Sequence, residues 1–163
     1  RSLRPERIEL REIIGSSAAA IQHQLHEAGG AIETDIAVPP IVSDRASLEL
    51  IFGNILDNAL KYRATARALR VSVKAQPLAG GRVAIDIADN GRGIAEQDLE
   101  RVFELFRRAG VQDQPGEGIG LAYVRTVARN LGGDVTVSSK LDAGTTFHVV
   151  LPTALTVPER PQS

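Results

Sequence analysis

The chain has 163 residues with nearly balanced charge, 19 Lys+Arg against 20 Asp+Glu, which suits one domain with a sizeable core and offers no basic field to a nucleic acid or an acidic membrane. There is no Cys, which excludes disulfides and thiolate metal sites. No apolar run approaches the ~20 residues that span a bilayer and no signal-peptide core is present, so a cytoplasmic domain is expected, and a start at Arg1-Ser2-Leu3 without Met reads as a fragment of a longer protein.

In chain order, residues from about Arg4 to Glu27 read as a leading helix. Pro5 suits its first turn, and Ile8, Ile13, Ile14, Ile21 and Leu25 form a loose apolar stripe. Gly29-Gly30 ends it. His23 and His26 lie near that end without a third ligand, as a solvated helix end would have them. Ala31 to Val38 alternates as a strand stopped by Pro39-Pro40, and Ser43 or Asp44 then caps a central helix reaching about Arg63.

On that central helix, at about 100° per residue, Asn54, Asn58, Lys61 and Tyr62 share one side. Leu48, Phe52, Ile55, Leu56 and Ala59 form a second, apolar stripe. One face is thus core. The other is either a solvated polar stripe or a ligand face, whose carboxamides and ammonium suit a magnesium ion and phosphate and whose ring suits a base.

Leu69 to Ala75 alternates, Ala79-Gly80-Gly81 turns, and Arg82 to Ala88 alternates again, which is a hairpin pattern. The second strand delivers Asp89-Asn90-Gly91-Arg92-Gly93-Ile94. A carboxylate here can accept from the exocyclic amine of adenine, and the glycines let backbone approach a flat base. The same residues also make an ordinary turn.

A short helix from about Glu96 to Phe106 carries Phe103 and Phe106, and the polar residues 107–117 read as a mobile loop. Gly116-Glu117-Gly118-Ile119-Gly120-Leu121 then opens a helix to Leu131, closed by Gly132-Gly133. Free amides and the positive helix end suit an anion. The run lacks the ending of a P-loop and does not follow a strand as a dinucleotide fingerprint should. Two strands, Asp134 to Ser138 and Thr145 to Leu151, are joined by Leu141-Asp142-Ala143-Gly144. The tail at 153–163 reads as flexible. Hairpins without strict βαβ alternation favour an α+β two-layer sandwich, one mixed sheet with helices on one face.

Taken together, Asn54-x-x-x-Asn58-Ala59-x-Lys61-Tyr62, Asp89-x-Gly91-x-Gly93, Phe103-Glu104-x-Phe106-x-Arg108, Gly116-x-Gly118-x-Gly120-Leu121 and Gly144-Thr145-x-Phe147 resemble the catalytic ATP-binding domain of a bacterial two-component sensor histidine kinase. They match its N, G1, F, G2 and G3 boxes in order, across about Ile8 to Pro152. The resemblance implies the Bergerat (GHKL) fold shared with gyrase, Hsp90 and MutL, a domain over 1–152, and ATP with Mg²⁺ as cofactors.

It also implies roles. Asn58 would hold the magnesium ion with Asn54 near it, Lys61 would meet the phosphates, and Tyr62 would flank adenine. Asp89 would take the adenine amine in a pocket shaped by Gly91, Gly93 and Ile94, with Thr145 supporting its floor. Residues 107–117 would be the ATP lid, based on Phe103 and Phe106 and hinged by Gly116 to Gly120, with Gly116, Gly118, Ile119, Gly120 and Leu121 against the nucleotide. Arg108 would lie near the phosphates, with Arg107 as its rival.

ATP-hydrolysing relatives resemble Glu-x-x-x-Asn, in which Glu acts as a base. Asn54 cannot accept a proton at neutral pH, which favours phosphoryl transfer over water activation. The family's phosphoacceptor lies in a separate helical dimerisation domain, in a motif resembling His-Glu-Leu-Arg-Thr-Pro. His23, His26 and His148 do not fit it. The implied partners are that helical domain, in the same or a partner chain, and a downstream response-regulator receiver domain. The full-length kinase would be a homodimer, its membrane anchoring open. The rival readings are a nucleotide-binding pseudokinase or interaction module, and a clamp ATPase.

Overall fold

A computed structural model describes residues 2–99, 102–103 and 119–156, with 119 and 120 as backbone only. Among these, the elements are β1 (Pro5–Ile8), α1 (Leu10–Ala20), α2 (Gln22–Glu27), β2 (Ala31–Ile36), β3 (Ile41–Asp44), α3 (Arg45–Lys61), β4 (Arg70–Leu78), β5 (Arg82–Asp89), α4 (Glu96–Leu99), α5 (Ile119–Asn130), β6 (Asp134–Lys140) and β7 (Gly144–Pro152).

The main sheet has five strands in the order β2-β4-β5-β7-β6. The β2–β4 pair is parallel and the others are antiparallel, which makes the sheet mixed. Period-two alternation sorts its side chains. Val71, Val73, Val83, Ile85, Ile87, Phe147, Val149 and Leu151 are buried, while Ser72, Lys74 and Gln76 on β4 are exposed. The buried face meets Leu48, Ile51, Phe52, Ile55 and Leu56 of α3 in one core, together with α1 and α5 residues. The architecture is the expected α+β two-layer sandwich.

Helix α3 positions the site, and its ends are fixed by capping. Asp44 accepts the Ser47 amide at 3.0 Å, which satisfies one of the donors a helix start leaves free. At the other end Tyr62 is the C-cap, its amide bonded to the Asn58 carbonyl at 3.0 Å.

The start and the tail of the chain differ from the sequence reading. The leading helix expected from Arg4 begins only at Leu10, and a cap at Ile21 divides it into α1 and α2. Residues Pro5–Ile8 are instead a strand, paired antiparallel with β3 in the register Pro5↔Asp44 to Ile8↔Ile41. Proline suits the first residue of a strand as well as the first turn of a helix, and four residues are too few to show a period. The flexible tail expected from 153 is tied down at its start. The Thr153 amide bonds Gly81 O, the Val42 amide bonds Thr153 O, and the Leu155 amide bonds Val42 O, each at 2.8 Å. The expected lid at 107–117, Phe106 and residues 157–163 lie outside the described residues.

Candidate functional site

Where α3 ends, five segments surround a cavity of about 250 Å³. Asn58 and Tyr62 come from α3 and its cap, Asp89 from the end of β5, and Arg92, Gly93 and Ile94 from the loop after it. Leu141 comes from the β6–β7 turn and Thr145 from β7.

The floor is set by strand register. Asp89 and Thr145 are direct partners across β5 and β7. Asp89 Oδ1 accepts the Gly91 amide at 2.8 Å and the Thr145 amide at 3.3 Å. Among the described residues, Oδ2 receives no hydrogen bond and is left to a ligand. Burial pushes the Asp89 carboxyl above its ordinary value of 3.8, against the lowering pull of those two amides. A desolvated carboxylate with a spare acceptor oxygen calls for an incoming donor.

The Thr145 hydroxyl is oriented by Ser139. Ser139 Oγ donates to the Gly144 carbonyl at 2.8 Å and accepts the Ile94 amide at 2.8 Å. Its contact with Thr145 Oγ1, also 2.8 Å, must then use the Thr145 proton, because Ser139 has only one to give. Thr145 Oγ1 therefore keeps lone pairs as a second acceptor beside Asp89. Glycine is required in the adjoining loop: Gly93 has φ +74°, and a Cβ there would overlap the Lys140 carbonyl. One wall is a cation–π pair, with the Arg92 guanidinium carbon 5.2 Å from the centroid of the Tyr62 ring.

Of the α3 residues expected on one face, Asn58 and Tyr62 reach the cavity. The Asn58 carboxamide makes no hydrogen bond among the described residues. Asn54 is turned to its own helix, its Nδ2 donating to Leu50 O at 2.7 Å. Lys61 pairs with Asp57 at 3.0 Å and lines an adjacent groove with Arg63, Arg67 and Arg92. Gly91 is buried and is not part of the cavity lining. Ile119 and Gly120 open α5, and Leu121 is buried in the core. Arg108, Gly116 and Gly118 lie outside the described residues. Phe103 packs edge-on against Phe147, with ring centroids 6.4 Å apart.

Arg92, Leu141, Ser139 and Arg67 are the residues missed by sequence reasoning. Arg92 sat in plain view between two predicted glycines. Ser139 is brought in by β6, Leu141 by the β6–β7 turn and Arg67 by the α3–β4 connection, which no local pattern signals. His148 bridges Asp86 and Ser138 across the sheet, with Nδ1 2.8 Å from Asp86 Oδ1 and Nε2 2.9 Å from Ser138 Oγ. Among the described residues, no group of three His, Cys, Asp or Glu side chains could hold a metal ion. Any ion here would rest on neutral oxygens such as that of Asn58, together with ligand oxygens and water.

Residues 43–155 match the family described as histidine kinase-, DNA gyrase B- and HSP90-like ATPase. Among curated proteins, the chain is 35% identical over 153 residues to the histidine protein kinase DivJ of Caulobacter vibrioides, covering 90% of the chain and 25% of the relative. It is 29% identical over 158 residues to the sensor protein RprX of Bacteroides fragilis, covering 93% of the chain and 30% of the relative. The chain thus spans less than a third of either. Among solved structures, full-length ShkA in complex with AMPPNP matches at TM-score 0.81 and 30% identity, over 97% of the chain and 33% of that protein. The mycobacterial sensor histidine kinase MprB matches at TM-score 0.73 and 30% identity, over 94% of the chain and all (100%) of that structure.

Proposed function

We propose, for a chain that belongs to the histidine kinase-, DNA gyrase B- and HSP90-like ATPase family, that it is the catalytic ATP-binding domain of a sensor histidine kinase. The domain would run from the N-terminal helices through at least Leu155, and it would present Mg-ATP to a His on a separate helical domain. The observation that carries this reading is the paired acceptor at the cavity floor, Asp89 Oδ2 beside Thr145 Oγ1. Adenine carries an exocyclic amine with two protons to give. Guanine would place a carbonyl oxygen against the same carboxylate, and the site would reject it.

From that anchor the remaining residues take roles. Tyr62, backed by Arg92, offers a ring face to the base. Asn58 lies one helical turn before Tyr62, where the phosphates would leave the pocket, and its free carboxamide oxygen would hold Mg²⁺. The bound ion would neutralise charge between phosphate oxygens. Lys61 would reach the phosphates by leaving Asp57, with Arg108 and the glycines at 116, 118 and 120 completing the anion site. The chain's own task is positioning the γ-phosphate and excluding water.

Asn54 favours transfer over hydrolysis. Its carboxamide cannot take a proton from water at neutral pH, and it already donates to the Leu50 carbonyl. The acceptor is then a better nucleophile supplied from elsewhere, an imidazole of the helical domain. The phosphoryl group would pass onward to a receiver domain, and the full-length protein would act as a homodimer. Among the described residues, no helix is long and apolar enough to cross a membrane.

Calorimetric titration of the chain with ATP and with GTP, each with and without Mg²⁺, tests the binding claim. ATP should bind, tighter with Mg²⁺ and tighter than GTP. No ATP binding at millimolar nucleotide would overturn the reading.

A further inference from the structure

Arg67 lies on the connection between α3 and β4, outside the cavity wall, yet its guanidinium joins both loops that build that wall. Its Nε donates to the Asn90 carbonyl at 2.7 Å. Its Nη2 donates to the Gly91 carbonyl at 2.7 Å and to the Asp142 carbonyl at 2.8 Å. The first two acceptors precede Arg92, Gly93 and Ile94; the third follows Leu141. We propose that Arg67 is a positioning residue that holds the base pocket in its binding geometry before nucleotide arrives.

Three observations support the clamp. The two loops also touch directly, the Asp142 amide donating to the Arg92 carbonyl at 2.7 Å, so Arg67 closes a ring around a contact that already sets their spacing. Asn90 is locked in turn: its Oδ1 accepts the Arg70 amide at 2.8 Å and its Nδ2 donates to Ala68 O at 3.0 Å. Asp142 has φ 66°, a left-handed conformation that costs about 1 kcal/mol or more outside glycine and persists where neighbours enforce it.

The basic groove beside the pocket, lined by Lys61, Arg63, Arg67 and Arg92, is explained by the same chemistry. Arg63 donates to Leu60 O at 2.7 Å, and Arg92 reaches Lys61 O at 3.4 Å. The three guanidiniums thus satisfy carbonyls at the end of α3 and in the loops, which makes them struts of the groove, while Lys61 pairs with Asp57. The clamp needs a planar fork with diverging donors. Lysine has the charge and one nitrogen, and it cannot span all three acceptors.

The inference rests on the proposed nucleotide site, and its test separates the two. Amide exchange of the nucleotide-free chain is measured for wild type, Arg67→Lys and Arg67→Ala, followed by ATP and GTP titration of each. Exchange at the Arg92 and Asp142 amides should quicken in both variants. The ATP dissociation constant should rise about tenfold, as loss of charged hydrogen bonds implies, and the preference for ATP over GTP should narrow, with lysine giving no rescue. A residue that merely stabilised the fold would lower the melting point and leave that preference unchanged. Wild-type exchange or wild-type selectivity in a folded Arg67→Lys chain would overturn the clamp. Failure of the wild type to bind ATP would overturn the nucleotide reading, and the exchange rates would still decide whether Arg67 orders the loops.

Discussion

Asp89 and Thr145 face each other across the β5–β7 ladder, and the Thr145 amide donates to Asp89 Oδ1 at 3.3 Å. Both halves of the acceptor pair at the cavity floor are therefore fixed by strand pairing. A one-residue slip of either strand would turn that strand's side chain to the opposite face and break the pair apart. Sites on strands hold their geometry more closely than sites on loops, and here both members of the acceptor pair sit on paired strands.

Asp89→Asn is nearly isosteric, and its oxygen can still take the Gly91 and Thr145 amides. Its Nδ2 then points where the adenine amine should arrive, donor against donor. ATP affinity should fall about tenfold to a hundredfold, as losing a charged hydrogen bond implies, while GTP affinity holds or rises. Competitive titration reads the ratio directly.

The same carboxyl sets a pH dependence. Burial raises the Asp89 pKa above 3.8, so the folded chain binds more protons than the unfolded chain between 3.8 and the folded value. Stability from this group therefore falls as pH rises through that window, and the full cost is present above it. Denaturant midpoints across the window should show a downward slope that Asp89→Asn flattens. Nucleotide binding, which needs the ionised form, should weaken as pH falls through the folded value.

Gly93→Ala places a Cβ on a residue with φ +74° and against the Lys140 carbonyl. Left-handed strain alone costs about 1–3 kcal/mol, and the overlap adds to it. Thermal unfolding should show at least that loss, with ATP binding reduced in the fraction that still folds.

Ser139→Ala removes the acceptor of the Ile94 amide and frees the Thr145 proton. An amide left without a partner costs about 1–3 kcal/mol. The Thr145 hydroxyl would then be free to turn as a donor, so selectivity between ATP and GTP should narrow while the cavity keeps its size.

Much of this architecture was legible in the sequence. Alternation gave β4 and β5, Gly80-Gly81 gave their turn, and Ser43-Asp44 gave the start of α3, where Asp44 proves to be the cap. Asp89, Asn58, Tyr62 and Thr145 stand out as candidates within three of the five short motifs, and the structure brings them around one cavity. Pro5–Ile8 was misread because proline serves strand and helix starts alike, and its partner Ile41–Asp44 is too short to carry a period. Lys61 and Asn54 share a helical face with Asn58, yet Lys61 pairs with the Asp57 carboxylate and Asn54 with the Leu50 backbone carbonyl, outside the cavity lining. Ser139 and Arg67 act only through contacts distant in sequence, Arg67 reaching Asp142 across 75 positions, and no local pattern reports such a pairing.

The most direct test of the account uses the full-length protein, incubated with γ-labelled ATP and Mg²⁺ and assayed for acid-labile phosphohistidine. Label should accumulate on a His of the helical domain, and Asn58→Ala should cut it to about a hundredth or less, since the proposed magnesium ligand is lost. Release of inorganic phosphate without histidine label, or full labelling of Asn58→Ala, would contradict the assignment.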